Sequence, residues 1–220
     1  MDTTSLVRLL GEGLLQTLYM TLMATLVAYV IGLPVGVSLI VTAPNGIKPI
    51  TWYNKAMGFI VNVVRSVPFL ILMIALMPYI RKVIGTGIGT SATTAALIVA
   101  AAPFVARMVE QSLLEVDPGV IEAAQSMGAS NMQIIRKVLL LEARPSLLNG
   151  AAVATITILG YSAMAGSIGG GGLGDIAIRY GLYRFQPTIM WITVIVLVVL
   201  VQIMQEIGIK VAAKLDNRIN

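Results

Sequence analysis

A long apolar segment without a charged side chain runs from Leu14 to Val41. An α-helix needs roughly 20 residues to cross a hydrocarbon layer about 30 Å thick, so this segment is long enough to span a membrane. It is too long for the apolar part of a secretory signal peptide, and no cleavage site follows it. We expect it to remain in the mature protein as a spanning helix kinked at Pro34, with neighbouring helices packed close to Gly32 and Gly36.

The composition of the chain extends this interpretation to its whole length. Hydrophobic residues make up 57% of the 220 residues and charged residues only 11%, whereas soluble domains are about 45–50% apolar and about 25% charged. The sequence therefore predicts an all-α integral membrane protein, a single domain over residues 1–220 with about five transmembrane helices. The predicted spans are 14–42, 58–80, 93–109, 147–166 and 188–209. Totals of four or six remain open because the third span is short.

The residues that most enzymes and metal sites depend on are missing from this chain. There is no cysteine and no histidine, so disulfides, thiolate metal sites and the commonest general base are excluded. The 12 methionines are scattered, which favours core filling over a copper site. The net charge of +5 comes from dispersed residues, so no nucleic-acid partner is expected. We predict no catalytic residue and no metal ligand.

The distribution of lysine and arginine predicts the orientation of the chain. These residues concentrate on the cytoplasmic side of membrane proteins. With the N-terminus outside, the inside set is Lys48, Lys55, Arg65, Arg107, Arg136, Lys137, Arg144, Lys210, Lys214 and Arg218, and the outside set is Arg8, Arg81, Lys82, Arg179 and Arg184. This twofold bias predicts an external N-terminus, and it places the C-terminus and the longest polar loop in the cytoplasm.

Two arginines lie near predicted inner ends of spans. Arg65 falls inside the second predicted span, so we expect the lipid-buried part to begin after it, with residues 55–64 near the interface. For both Arg65 and Arg107 the commoner role is a side chain that reaches the headgroups. The less favoured alternative is an ion pair with Glu110 or Glu122.

The sequence of the polar loop over residues 117–145 predicts two short helices. Asp117 is expected to cap the first, whose first residue is Pro118, and Gly128 is expected to end it in the left-handed conformation. Ser130 and Gln133 form a capping-box pattern for the second helix. On that helix the predicted apolar face comprises Met132, Ile135, Val138 and Leu139. From periodicity alone, the loop could equally pack only against its own chain.

The same loop carries a motif that resembles a known family. The residues that carry it are Glu122, Ala123, Ala124, Gly128, Ile134, Ile135, Val138, Leu139 and Leu140. They resemble the EAA loop of permease subunits in bacterial ABC importers. Leu141 stands where that family commonly has a proline, which here comes later at Pro145 and affects only the bend after the second helix. With the segment Arg65–Phe69 and the loop Gly169–Gly174, nearly the whole chain resembles the methionine-type permeases.

This resemblance implies a type I importer permease with a cytoplasmic coupling helix, located in the bacterial inner membrane in contact with lipid. It implies a homodimer that binds two ABC ATPase subunits inside and a substrate-binding lipoprotein outside, and that imports D- and L-methionine. ATP and Mg²⁺ would bind the ATPase, because this chain has no Walker motif and no cofactor is expected on it. The residues expected to couple to the ATPase are Pro118, Ile121, Glu122, Ala123, Ala124, Met127, Gly128 and Ala129. We expect the alanines to give a low-relief docking surface.

The outer end of the fourth span is the predicted pathway or gate. Tyr161, Ser162, Met164 and Gly166 form a small, mildly polar stretch, and the flexible methionine is the strongest candidate. Ordinary helix packing is the competing interpretation, since small residues are common in membrane helices. The following glycines formally match a dinucleotide-binding pattern, but a span precedes them rather than a β-strand. We therefore expect an external re-entry loop, with Asp175 capping a short helix.

Three alternatives to a methionine importer remain at this point. A related importer would carry another small solute. A passive channel would not need the EAA loop. An intramembrane enzyme is disfavoured because the spans contain no paired carboxylates, no histidine and no serine–base pair.

Overall fold

The computed structural model describes residues 3–215, and within them every regular element is helical. The longer helices are α1 (Thr3–Val41), α2 (Thr51–Ser66), α3 (Phe69–Ile84), α4 (Thr90–Leu114), α8 (Arg144–Ala165) and α10 (Pro187–Leu215). The short helices are α5 (Pro118–Ser126), α6 (Asn131–Ile134), α7 (Leu140–Glu142) and α9 (Gly172–Ile176). Two π-helical turns, Ile135–Leu139 and Ala177–Leu182, continue α6 and α9, and a 3₁₀ turn, Gly166–Ile168, follows α8.

Four helical stretches are long and apolar enough to cross a membrane: α1, α4, α10 and the stretch from Arg144 to Leu182. Helices α2 and α3 make a fifth if the pair counts as one span. The predicted architecture of about five membrane helices is therefore confirmed. α4 has the largest buried share among these stretches, 56%, which agrees with its alanine-rich sequence.

The span predicted at residues 58–80 is not continuous. α2 ends at Ser66 and α3 begins at Phe69, so Val67 and Pro68 lie between two separate helices. Proline has no N–H to donate and disfavours helical geometry at the residue before it, which explains the break. The break lies just beyond Arg65, near the position where we expected the lipid-buried part to begin.

The chain divides into two compact units. Among the described residues, the first comprises 3–27, 67–101 and 154–205, and the second comprises 28–66, 102–153 and 206–215. The core of the first unit is formed by Leu159, Leu173, Ile176, Ile189 and Leu200. The leucines of α1 that pack against this core are Leu6, Leu9, Leu10, Leu14 and Leu18. Burial of these side chains fixes the short helix α9 beside α1, α8 and α10.

In the second unit, two glycines bring α1 and α4 into close contact. A Cβ atom added at Gly32 would lie 2.8 Å from the carbonyl oxygen of Ala102, and one added at Gly36 would lie 2.6 Å from that of Ala106. Only glycine permits so close an approach of two helix backbones. The packing predicted around Pro34 is confirmed.

Candidate functional site

The first helix of the polar loop over residues 117–145, α5, begins and ends as its sequence predicts. The Oδ1 atom of Asp117 accepts a hydrogen bond from the Gly119 amide at 2.7 Å, and Pro118 occupies the first turn. Gly128 has a φ of 78°, the left-handed conformation that ends a helix without steric cost. These local signals hold the nine-residue helix in place at both ends.

The second helix starts with the predicted capping box, but its buried face differs from the prediction. Ser130 donates its amide to Gln133 Oε1 at 2.8 Å and accepts the Gln133 amide on its hydroxyl at 3.4 Å. A π-helical turn, whose hydrogen bonds join residues i and i+5, follows at Ile135–Leu139. It places Ile134 and Leu139 on the same side, and both are fully buried. Met132, predicted on the apolar face, is 56% exposed instead.

Helix α5 packs against the rest of its own unit along one side only. Ala124 is 5% exposed and Ile121 is half-buried, whereas Glu122, Ala123 and Met127 are exposed. The prediction that Ala124 offers a docking surface is therefore wrong, because this alanine anchors the helix to its own unit. Ala123, beside it in sequence, points away, since neighbouring residues on a helix face different directions.

The remaining residues predicted for coupling lie around this exposed side. Pro118 and Gly128 are exposed at the two ends of the element, and Ala129 is half-buried. A cavity of about 340 Å³ lies next to α5, lined by Ile121, Glu122 and Gln125 together with residues of α1 and α4. The helix is thus held at few points and leaves most of its surface uncovered by its own unit.

Arg107 is an ion-pair residue rather than a free anchor. Its guanidinium donates to Glu110 and to Asn62 Oδ1, the latter at 2.9 and 3.2 Å. The Arg107 and Glu110 side chains are only 23% and 16% exposed. Of the two roles considered for Arg107, the less favoured one, an ion pair with Glu110, is therefore present in the structure.

We predict that Glu110→Gln destabilises the protein, while Glu206→Gln has little effect. The first change removes a half-buried carboxylate from Arg107, which costs roughly 1–3 kcal/mol for a hydrogen bond to a charged group. The second removes the exposed pair between Glu206 and Lys210, which contributes at most about 1 kcal/mol. Thermal unfolding of the detergent-solubilised variants measures both. Equal melting temperatures for the two would contradict a structural role for the Arg107 pair.

At the C-terminal end of α8, two of the four predicted gate residues are accessible. Tyr161 stacks on Phe69, with ring centroids 4.6 Å apart and an interplanar angle of 6°. Met164, one helical turn later, is 54% exposed. Residues three positions apart share a helix face, so these two side chains form one surface.

The other two predicted gate residues are packed inside the first unit. Ser162 is 1% exposed, and its hydroxyl donates to the carbonyl of Leu159 at 2.7 Å. Gly166 is buried, and a Cβ atom there would lie 2.2 Å from the amide nitrogen of Asp175. Both residues are therefore packed rather than exposed: Ser162 is bonded within α8, and Gly166 lets the following loop approach the end of α8 closely.

The glycine-rich segment after α8 turns back sharply, as the sequence predicts. Gly169, Gly171 and Gly172 have φ angles of 78°, 81° and 77°, which glycine adopts freely. Gly174 returns so close to α8 that a Cβ atom would lie 2.1 Å from the carbonyl oxygen of Ala163. Asp175 does not cap α9 as predicted: it lies within the helix and pairs with Arg179.

Two residues of α1 that the sequence did not identify hold this loop. Gln16 Oε1 accepts a hydrogen bond from the Gly172 amide at 2.8 Å, and Thr17 Oγ1 accepts one from the Leu173 amide at 2.9 Å. Each pair is separated by 156 positions in the sequence. No local pattern could have revealed them.

The carboxylate side chains of the described residues are dispersed rather than clustered. Across residues 3–215, no three Asp or Glu side chains are grouped closely enough to hold a metal ion.

Comparisons with known proteins agree with this geometry. The family model described as "Binding-protein-dependent transport system inner membrane component" matches residues 28–207. A probable D-methionine transport system permease protein of Vibrio cholerae is 52% identical over 203 residues, covering 92% of this chain and 90% of the relative. The D-methionine transport system permease protein of Escherichia coli K12 is 50% identical over 158 residues, covering 72% and 73%.

Solved structures match over nearly the whole chain. A chain of the methionine ABC transporter MetNI, in inward-facing conformations, has a TM-score of 0.96 at 44% identity and covers 99% of this chain and 100% of its own. A chain of an amino acid ABC transporter with histidines has a TM-score of 0.74 at 23% identity and covers 99% of each. At that identity the second match supports the fold alone.

Proposed function

Because this chain belongs to the family of inner membrane components of binding-protein-dependent transport systems, we propose that the solute it carries is methionine, in the D- and the L-form. The chain is the membrane-spanning permease subunit of an ABC transporter, as its resemblance to that class predicted. The observation that carries the methionine proposal is the near-complete match to a chain of a methionine transporter. The relatives named for D-methionine transport favour the same solute.

ATP hydrolysis takes place on a separate ATPase subunit, where ATP and Mg²⁺ bind. Two copies of this chain form the permease and dock two such subunits through α5. The exposed side of α5 supports this role: Ala123 permits close approach, and Glu122 can pair with a basic group of the ATPase. Ala124 contributes by anchoring α5 to its own chain, so that a displacement of this helix by the ATPase is transmitted to α1 and α4.

The N-terminus lies outside the inner membrane, and the C-terminus and α5 lie in the cytoplasm. The excess of basic residues on the inner side supports this orientation. One of them, Arg218, lies outside the described residues. The opposite end of the spans, with the glycine loop, then faces the substrate-binding lipoprotein.

The pathway runs past the outer end of α8, where Tyr161 and Met164 face the solute. Met164 is exposed, flexible and polarizable, which suits contact with an apolar thioether side chain. Ser162 and Gly166 are buried beneath this surface, and their packing keeps the end of α8 in place. Closure of the two ATPase subunits on ATP moves the docked α5 helices, and the attached spans rock between inward-open and outward-open states.

Reconstitution tests the proposal directly. We expect proteoliposomes that contain this chain, its ATPase and its binding protein to accumulate labelled L-methionine only when ATP is present. Unlabelled D- and L-methionine should suppress that uptake, whereas lysine should not, because the accessible Tyr161 and Met164 offer its charged side chain no charged partner.

Each competing function has its own outcome in the same assay. Failure of methionine to stimulate the ATPase would overturn the solute assignment and leave an importer of another small solute. Methionine flux that persists without ATPase, or after deletion of residues 118–129, would establish a passive channel. A reaction catalysed by the purified chain alone would establish an intramembrane enzyme.

A further inference from the structure

The helix that follows the glycine loop has no capping side chain of its own. It comprises α9 and the π-helical turn up to Leu182, and the residue before it is Gly171, which has no side chain. The first amides of a helix have no partner within the helix and need acceptors from elsewhere. Here the amides of Gly172 and Leu173 donate to Gln16 and Thr17 of α1. Helix α1 therefore supplies the N-terminal cap.

The loop backbone lies directly on the two capping side chains. A Cβ atom at Gly171 would lie 3.0 Å from Gln16 Oε1, and one at Gly172 would lie 2.6 Å from Thr17 Oγ1. Thr17 is 1% exposed, and its hydroxyl donates to the carbonyl of Gly13 at 2.9 Å. That donation fixes the lone pairs of the hydroxyl toward Leu173, so the cap is preorganised.

The first turn of α4 and Gly89, the residue before it, hold the other side of the loop. The Gly89 amide donates to the carbonyl of Gly169 at 2.9 Å, and the Thr93 hydroxyl donates to the carbonyl of Gly170 at 3.3 Å. Thr93 is fully buried. The loop is thus hydrogen-bonded to α1 and α4, while its glycines pack against the end of α8 that carries Met164.

We propose that Gln16 and Thr17 are positioning residues of the transport cycle: by capping α9 from α1, they keep the outer end of α8 in its closed arrangement. The proposal rests on the proposed function of the chain. It is supported by the close match to a transporter in inward-facing conformations, in which the outer side is the closed one. The cap makes the gate surface move together with α1, so that the outer side opens only when the ATPase drives it.

Two matched pairs of variants test the cap. Gln16→Met and Thr17→Val keep the size of each side chain and remove the acceptor, whereas Gln16→Glu and Thr17→Ser keep an acceptor oxygen. A carboxylate at position 16 is also favoured near a helix N-terminus. Hydrogen–deuterium exchange of the purified permease measures how well the cap protects the first amides of α9, and it needs neither solute nor ATPase. Loss of the acceptor should speed exchange at Gly172 and Leu173 by about five- to a hundredfold, and the Glu and Ser variants should stay near wild type.

The complete transporter in proteoliposomes tests the functional consequence. We expect Gln16→Met and Thr17→Val to hydrolyse more ATP per methionine imported and to leak preloaded methionine, with Gln16→Glu and Thr17→Ser restoring both. A merely structural defect would lower ATPase and uptake together and leave their ratio unchanged. Unchanged ratio and leak, or no rescue by the acceptor-keeping variants, would overturn the proposal. Failure of the wild-type complex to import methionine would instead reject the proposed function, and the exchange result would stand independently.

Discussion

Gly174→Ala is expected to abolish ATP-driven uptake, whereas Gly11→Ala is expected to leave it unchanged. A Cβ atom at Gly174 would lie 2.1 Å from the carbonyl oxygen and 2.7 Å from the carbonyl carbon of Ala163. These are backbone atoms, so no side chain can rotate away, and either the loop or the end of α8 must shift. Overpacking of this kind costs about 1–3 kcal/mol or more, which lowers the population of the correctly packed loop by about five- to a hundredfold or more.

Gly11 provides the matched control because it is also a glycine of the first unit with a different environment. It lies within α1, and a Cβ atom there would meet nothing within 4 Å. Alanine in a helix is favoured over glycine by about 0.5–1 kcal/mol, so this variant should be at least as stable as wild type.

Uptake of labelled methionine into cells, normalised to the amount of permease in the membrane, measures both variants. Hydrogen–deuterium exchange of residues 166–176 then shows whether the loss comes from the loop itself, which should exchange faster in Gly174→Ala alone. Normal uptake by Gly174→Ala would mean that the loop is not held against α8 as the structure places it.

The features that could be predicted from the sequence depend on neighbours a few residues apart. Asp117, Gly128 and the pair Ser130 and Gln133 follow from hydrogen bonds and backbone angles within one helical turn, and the structure contains each of them. Membrane helices can be predicted equally well from the sequence, because their signal is the mean hydropathy of a segment of roughly 20 residues. Local chemistry therefore defines the ends of α5 and the apolar segments long enough to span a membrane.

The features that could not be predicted depend on packing over long distances or on irregular helices. The contacts of Gln16 and Thr17 with the glycine loop cross 156 positions, and no single sequence encodes such pairing locally. The π-helical turn after Ile134 changes the residue spacing along the buried face, so a regular period misplaced Met132. For the pair Ala123 and Ala124 of α5, residue identity alone does not reveal which alanine faces inward.

Which of these two alanines is exposed determines the second prediction with a large effect, a loss of docking by the ATPase. Ala123→Trp is expected to lower ATP-driven methionine accumulation by at least about tenfold, because a bulky ring on the exposed side of α5 prevents close docking of the ATPase. Ala123→Ser keeps the side chain small and should retain transport. Since Ala123 is exposed, neither change should alter the stability of the permease itself by more than about 0.5 kcal/mol.

The neighbouring position separates loss of docking from loss of folding. Ala124 is 5% exposed, so Ala124→Trp must displace the side chains around it and should destabilise the loop within the isolated permease. Co-purification with the ATPase and thermal unfolding of the permease together resolve the two cases. Ala123→Trp should lose the ATPase at an unchanged melting temperature, and Ala124→Trp should lower the melting temperature even without the ATPase. If Ala123→Trp retains full transport and still co-purifies with a stoichiometric ATPase, the exposed side of α5 is not the surface on which the ATPase docks.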